Sequence, residues 1–337
     1  FQWRVAPYGL TRNPAGYSRG MQWVLKGLHS LSDLDHGRGK GGATPWLDDI
    51  CMRATSFEAF AEIFELVLSR VAAAGMSLKG SKTELLHAEM DLLGFVATPR
   101  GLMIQKPKLK AIMADGVPTT PKQAMTFLGA VAFLRRMVPR ISLLSAPMTA
   151  AIKSFDKRNQ AKGKPRSQKP KDGAFNAQEQ DEVNQSWHAI LDHLEDGALL
   201  SAPGFEDPRA HFVICTDASD YAVGGVLMQW QHHLPLGPGP PPGVPSREPK
   251  GAPPAVDPLD SKWRKDAGWE LKVIGYYSKT LIDAQKNYPA FDKEAGAALL
   301  CCRHWSDLIT YHPTTLYTDS AVATSMLTKH IAPPRLQ

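Results

Sequence analysis

Five carboxylates in this chain have the settings of divalent-cation chemistry. Asp48 and Asp49 are adjacent in "PWLDDI", Pro45 to Ile50, behind a bulky aromatic and a leucine. Asp217 ends an apolar run, Phe212 to Cys215. Glu294 lies in a helical stretch that starts near Pro289, and Asp319 ends a second strand-like run, "TTLYTDS". A carboxylate at a strand end, beside an inward-facing carboxylate on a helix, can offer hard oxygen ligands to divalent cations. Two such ions about 3.5–4 Å apart activate a water and stabilise the leaving oxygen in phosphodiester cleavage. An isolated Asp-Asp pair, or one strand-end acid, is equally the mark of a solvated turn. The order strand-Asp, helix-Glu, strand-Asp is far more specific than any single acid.

Those acids need elements to hold them. The stretch from Thr55 to Gly75, "TSFEAFAEIFELVLSRVAAAG", predicts a helix directly after the Asp-Asp pair. Phe57, Phe60, Phe64, Val67 and Val71 repeat at three- and four-residue steps and predict a core-facing stripe. Thr55 with Glu58 reads as a capping box, and Gly75 as the C-terminal cap. A short strand is expected near Leu92 to Val96, then a turn through "TPRGLMI" into another strand. From Lys106 to Ile152 the pattern is helical and basic, with Lys106, Lys108, Lys110, Arg135, Arg136 and Arg140; "TPKQAMTFLGAVAFLRRMVP" ends at Pro139.

Residues 153–174, "KSFDKRNQAKGKPRSQKPKDGA", are lysine-rich and nearly free of apolar side chains, the composition of a mobile linker. A helix is expected over about Ala177 to Leu194. "HFVICTDASDYAVGGVLMQW" then supplies two β-rich runs around a polar turn. The proline-glycine tract at 234–258 suits an extended surface insertion. "ELKVIGYYSKTL" predicts a further strand, and Pro289 to Trp305 a helix.

The bulk properties agree with a globular protein. The 337 residues suit two or three domains, and 43% hydrophobic with 21% charged content is that of a folded chain. Lysine and arginine exceed aspartate and glutamate by 39 to 33, giving a net +6 and a pI near 9.0. That mild excess suits a polyanionic partner or simple solubility charge. Cysteines 51, 215, 301 and 302 show neither CxxC spacing nor a neighbouring histidine pair, which argues against a disulfide framework or a zinc site. No apolar run approaches the ~18–20 residues of a membrane span, and no signal peptide opens the chain. It starts on "FQWRVAPYGL" without Met and closes on "APPRLQ", so a piece of something longer is expected, and the cysteine usage suits an intracellular compartment.

Over nearly its whole length the sequence resembles the polymerase and ribonuclease H region of long-terminal-repeat retrotransposons of the Ty3/gypsy type, relatives of retroviruses. "TDASDYAVGGVLMQ", "IGYYSKTLIDAQKNYPAFDKEAGAALL" and "LYTDSAVATSML" match the family's ribonuclease H segments in order. "FQWRVAPYGLTRNPAGYSRGMQWVL" resembles the stretch whose Pro-Phe-Gly-Leu core lines the nucleotide and template site, here Pro7, Tyr8, Gly9 and Leu10. "AGMSLKGSKTELLHAEMDLLGFVATPRGLMI" resembles later palm segments, with Lys82 in the lysine slot and Leu93, Gly94 and Phe95 in the primer-grip slot. "VPTTPKQAMTFLGAVAFLRRMVPRISLLSAPMTAAIK" resembles the thumb.

The resemblance implies an α/β (α+β) architecture. Its expected parts are a partial palm over 1–105, a thumb-like helical region over 106–152, a basic linker and connection helix over 153–200, and a ribonuclease H-like mixed-sheet domain over 201–337. It implies metal-binding catalysis by Asp48, with Asp49 beside it, for polymerisation. For ribonuclease H it implies metal-ligating Asp217, Glu294 and Asp319, with Mg²⁺ or Mn²⁺ as cofactor. RNA template, DNA primer, RNA–DNA hybrid and dNTPs are the implied partners, with no membrane and with a homodimer or a heterodimer among the possible assemblies.

The departures from the pattern carry expectations too. The polymerase Asp of an upstream motif is missing, and Trp46 replaces the usual Tyr. "GRGKGGATP", poor in strand formers, stands where an apolar strand leads into the turn. No acid follows Asp319, where a fourth ribonuclease H carboxylate is usual. Absent polymerase activity and weak or no hybrid cleavage are therefore expected of this chain as given. The alternative reading is a catalytically inactive relic, or a domesticated nucleic-acid-binding or structural protein.

Overall fold

The computed structural model describes residues 9, 11–28, 31–32, 39–98, 100–161, 173–195, 199–205, 211–232 and 269–319. Of these, the residues within Phe1–His87 form one compact unit and those from Ala88 onward a second. The expected insertion at 234–258 lies outside the described residues. Among them no helix is long and apolar enough to cross a membrane.

The first unit carries helix α1 (Asn13–Val24), strands β1 (Leu31–Ser32), β2 (Gly39–Trp46) and β3 (Asp49–Ala54), helix α2 (Phe57–Ala73), and a 3₁₀ turn at Gly80–Lys82. The sheet order is β1-β2-β3, antiparallel throughout. Helix α2 buries Ala59, Ile63, Val67 and Val71, each four residues after the last, and the latter three pack against Met21, Leu25, Leu28 and Ala43. Each fully buried Ile or Val contributes about 1.5–3 kcal/mol by leaving water. The expected stripe was partly misplaced. Phe57 is 65% exposed, because at 3.6 residues per turn it lies about 120° round the helix from Ile63. Phe60 and Phe64 are half-buried and stack on each other at 5.9 Å. The N-cap is Ser56, not Thr55: its hydroxyl accepts the Ala59 N–H at 3.2 Å.

The glycine- and proline-rich stretch before the Asp-Asp pair does form a strand, contrary to its local propensity. Strand β2 pairs with β3 from Gly41↔Ala54 to Trp46↔Asp49. Gly41 has φ +140°, and a Cβ there would lie 2.1 Å from the Arg53 carbonyl oxygen, so glycine is what lets the two strands close. Pro45 pairs with Ile50, one step from the Trp46–Asp49 pair that closes the turn. Antiparallel pairs alternate, so Pro45's missing N–H faces away from β3. Strand β1 pairs only with residues 39 and 41 and does not need it.

The second unit starts with an antiparallel meander, β4 (Met90–Leu92), β5 (Phe95–Thr98) and β6 (Gly101–Ile104). The single strand expected over Leu92 to Val96 is thus two strands, broken by a two-residue turn at Leu93-Gly94. Helices α3 (Lys106–Met113), α4 (Pro121–Leu134), α5 (Ile141–Leu144), α6 (Ala146–Ala161) and α7 (Ala177–Glu195) follow. Helix α4 begins at a capping box in which Thr120 and Gln123 exchange bonds of 3.3 and 3.2 Å. It stops at Leu134, short of the expected Pro139. Helix α6 reaches Ala161, so the first nine residues of the expected linker are helical. There Arg158 pairs with the buried Glu179 of α7 at 2.8 Å, which ties the two helices together.

The rest of the unit is a four-stranded sheet of β7 (His211–Ala218), β8 (Ala222–His232), β9 (Trp269–Thr280) and β10 (Thr314–Tyr317). Its order is β10-β7-β8-β9, with β10 parallel to β7 and the other pairs antiparallel. Helices α8 (Asp283–Lys286), α9 (Ala290–His304) and α10 (Ser306–Ile309) lie between β9 and β10 in the chain. Phe212, Ile214, Leu227 and Ile274 of the sheet pack with Cys301 and Trp305. This mixed helix-and-sheet architecture agrees with the fold class read from the sequence.

Candidate active site

In the first unit, Asp48 sits in the two-residue turn between β2 and β3, and Asp49 is the first residue of β3. Both are exposed. The other turn residue, Leu47, has φ +51°, a left-handed conformation unfavourable for a leucine. Trp46 is 56% exposed. Lys82 ends the 3₁₀ turn and is exposed, and Gly9 is an exposed turn residue with φ +90°. Pro7, Tyr8 and Leu10 lie outside the described residues.

In the second unit, Leu93 and Gly94 form the β4–β5 turn with φ +51° and +83°, the geometry that suits a right-twisted hairpin. Phe95 is buried and stacks on Phe133 at 4.8 Å. Lys108 Nζ lies 3.4 Å from the Phe133 ring centroid. A Cβ on Gly94 would come within 2.6 Å of that same ammonium. The turn is therefore mounted on α3 and α4, with Leu93 43% exposed at its tip.

The remaining three acids lie at one end of the β7/β10 pair. Its last register pair is Cys215↔Tyr317, and Asp217 and Asp319 each stand two residues further on. Helix α9 brings Glu294 to the same place: its Oε1 accepts the Ala218 N–H at 3.0 Å. Glu294 is only 8% exposed, and its Oε2 is buried with no hydrogen-bond donor. Burial pushes its carboxyl up to about 7, helped by the negative charges of Asp319 and Asp217; the Ala218 N–H opposes them. Asp319 and Asp217 therefore both act electrostatically on Glu294.

The cluster is open rather than a closed ligand set. Among the described residues, no group of three or more His, Cys, Asp or Glu side chains is arranged to hold a metal ion as it stands. Asp217 is ion-paired instead with Arg140, Nη2 to Oδ2 at 3.2 Å. Next to Glu294, the largely buried Lys293 reaches Asp220 in the β7–β8 turn at 2.6 Å. A buried carboxylate oxygen without a donor, beside two further acids, is a donor set that fits a hard divalent cation.

Sequence reasoning missed Arg140 as a neighbour of these acids, the Ala218 amide that fixes Glu294, and Lys108 with Phe133 beneath the Leu93-Gly94 turn. Arg140 stood out only as one of several basic residues before a helix. Its partner lies 77 residues away, and no local pattern marks such a pair.

Residues 260–337 match the model of the RNase H-like domain found in reverse transcriptase. The retrovirus-related Pol polyprotein from transposon 297 of Drosophila melanogaster is 29% identical over 234 residues, covering 69% of this chain and 19% of that protein. The transposon Tf2-3 polyprotein of Schizosaccharomyces pombe is 23% identical over 327 residues, covering 95% of this chain and 19% of the relative. The chain thus spans about a fifth of the length of these curated relatives. Among solved structures, the foamy viral protease-reverse transcriptase in complex with dsDNA shares the fold with a TM-score of 0.63 at 18% identity, covering 99% of this chain and 55% of that one. Its counterpart in complex with RNA/DNA hybrid gives 0.65 at 17% identity, covering 99% and 37%. With relatives that align across most of its length and a family match over residues 260–337, the chain is similar to the reverse transcriptase and ribonuclease H region of the retrovirus-like Pol polyproteins of long-terminal-repeat transposons.

Proposed function

We propose that this stretch is part of an RNA-directed DNA polymerase with ribonuclease H, of the Ty3/gypsy type, and that its second unit contributes three carboxylates to the site that cleaves the RNA strand of RNA–DNA hybrids. Asp217, Glu294 and Asp319 are the residues that would hold Mg²⁺ or Mn²⁺. The observation that carries this reading is Glu294: a buried carboxylate, fixed at one oxygen by the Ala218 N–H, with its other oxygen undonated beside two more acids. A divalent ion bound there supplies an activated water and a stabilised leaving oxygen. The protein's own contribution is to fix the ligands. Strands β7 and β10 set two carboxylates level by parallel pairing, and α9 delivers the third.

For polymerisation, Asp48 is assigned to metal binding with Asp49 beside it. Pro7, Tyr8, Gly9, Leu10 and Lys82 are assigned to nucleotide and template contact, and Leu93, Gly94 and Phe95 to the primer grip. The sequence motifs carry these assignments, and the turn positions of Asp48, Leu93 and Gly94 agree with them. The corresponding parts are a partial palm over 1–105, a thumb over 106–152, a connection over 153–200 and ribonuclease H over 201–337.

The test is Mn²⁺ binding by calorimetry on the full chain, beside cleavage of a labelled RNA–DNA hybrid. Substituting Glu294→Gln should weaken Mn²⁺ binding by at least about 100-fold, the upper end of what disturbing a metal's surroundings costs. Unchanged Mn²⁺ affinity in that variant would refute the site.

A further inference from the structure

Arg140 is the one group from outside the sheet and α9 that the described geometry joins to the acid cluster. Its backbone is held in an unusual way. Arg140 has φ +50° and ψ 32°, left-handed for a residue with a full side chain, directly before α5. The chain on either side is fastened to β9. The Arg136 carbonyl accepts the Tyr276 N–H at 2.9 Å, Arg135 Nη2 donates to the Ser278 carbonyl at 2.8 Å, and the Ser142 N–H donates to Ser278 Oγ at 3.2 Å. Met137, Val138 and Ile141 are buried, each at most 8% exposed. Neighbouring pairs Asp217↔Gly224 and Gly224↔Ser278 put the acid and the anchoring serine in one cross-strand row. Cross-strand partners share a face of the sheet. The row therefore carries the fastening point and the ion pair together, and a cavity of about 260 Å³ lies among Arg140, Leu143, Asp217, Gly224, Tyr276 and Ser278.

The two ends of Arg140 differ. The chain flanking its backbone is fastened by three hydrogen bonds and three buried side chains, whereas its own side chain is 67% exposed and that of Asp217 61%. A fixed mount with a free head makes an ion pair that forms repeatedly in one geometry yet yields to a stronger competitor. A divalent cation is such a competitor, because it bonds the carboxylate oxygens directly and carries twice the charge.

We infer that Arg140 is the resident counter-ion of the carboxylate cluster, holding Asp217 in the metal-free protein and competing with divalent cations for it. Arg140 is a positioning residue here, acting through Asp217. The inference rests on the proposed metal site. An exposed pair is worth little, so the competition should be modest, a factor of about two to five in metal affinity.

The experiment is Mn²⁺ titration of the full chain as wild type, Arg140→Ala, Arg140→Gln, Asp217→Asn and the double variant Arg140→Gln with Asp217→Asn. Arg140→Gln keeps the stem of the side chain and guards against a folding defect in Arg140→Ala. Removing the guanidinium should tighten Mn²⁺ binding about two- to five-fold, and the gain should vanish when Asp217 is already Asn. A merely structural role for Arg140 would not give a gain that depends on Asp217. Equal or weaker Mn²⁺ binding in both Arg140 variants, with a wild type that binds, overturns the inference and leaves the metal site standing. A gain that persists without the Asp217 carboxylate also overturns it. If the wild type binds no Mn²⁺ and the Arg140 variants do, the inference is supported in its strongest form. If none binds, the metal-site reading and the inference fall together.

Discussion

The chain presents two acidic sites, and they are built in opposite ways. Asp48 and Asp49 stand exposed at the tip of a hairpin, on a turn where Leu47 takes a left-handed conformation. Asp217, Glu294 and Asp319 come from two strand ends and a helix, and one of them is buried. The first arrangement comes from local chain geometry: a two-residue turn presents its carboxylates whatever else the chain does. The second is a product of tertiary packing. Only where the parallel β7/β10 pair and α9 meet do Asp319 and Asp217 act on Glu294, and its raised carboxyl records that. A hairpin tip can display acids, but packing is needed to make them act as a unit.

Several substitutions would break or sharpen that contrast. The largest effect expected is on hybrid cleavage. Glu294→Gln should lower any Mn²⁺-dependent cleavage by at least about 100-fold, while Asp48→Asn should leave it unchanged, as followed with a labelled hybrid. Equal losses from both would erase the distinction between the sites.

Next in size is Gly41→Ala. Its added Cβ would meet the Arg53 carbonyl at 2.1 Å, so the β2–β3 hairpin must shift, at a cost of about 2–4 kcal/mol. Limited proteolysis should show the first unit cut faster, with the second unit's fragments unchanged.

A third prediction concerns pH. A carboxyl whose pKa rises on folding binds its proton more readily in the folded state. Between about 4.5 and 7 folding thus takes up a proton at Glu294, and this contribution to stability falls as pH rises, levelling off above 7. Metal-free protein should lose more thermal stability between pH 5 and pH 8 than the Glu294→Gln variant does. Identical slopes in the two would contradict the coupling.

The smallest effect is at the hairpin tip. Leu47→Gly relieves the left-handed leucine and should stabilise the first unit by about 1 kcal/mol in denaturant titration.

These two sites were also legible in the sequence to different degrees. The order strand-Asp, helix-Glu, strand-Asp could be read because apolar runs mark the strands and each ends in its acid. The helix over 57–73 followed from periodicity, though periodicity misjudged Phe57, which lies about 120° round the helix from the buried Ile63. Strand β2 was misread from its composition. Glycine and proline lower strand propensity on average, but Gly41 is needed for close approach and Pro45 faces no partner that requires its N–H. The break at Leu93-Gly94 was missed because both flanks are apolar. The burial of Glu294 and the pairing of Arg140 with Asp217 were not legible, since both depend on segments far apart in the chain.

The account rests on Glu294, Asp217 and Asp319 behaving as one cation-binding group. Carboxyl ¹³C NMR of the full chain, titrated without metal, tests that most directly. The Glu294 resonance should titrate with a midpoint of about 7, move down in Asp319→Asn, and move down again when Mg²⁺ is added to the wild type. A midpoint at the ordinary carboxylate value, unmoved by Asp319→Asn or by Mg²⁺, would contradict it.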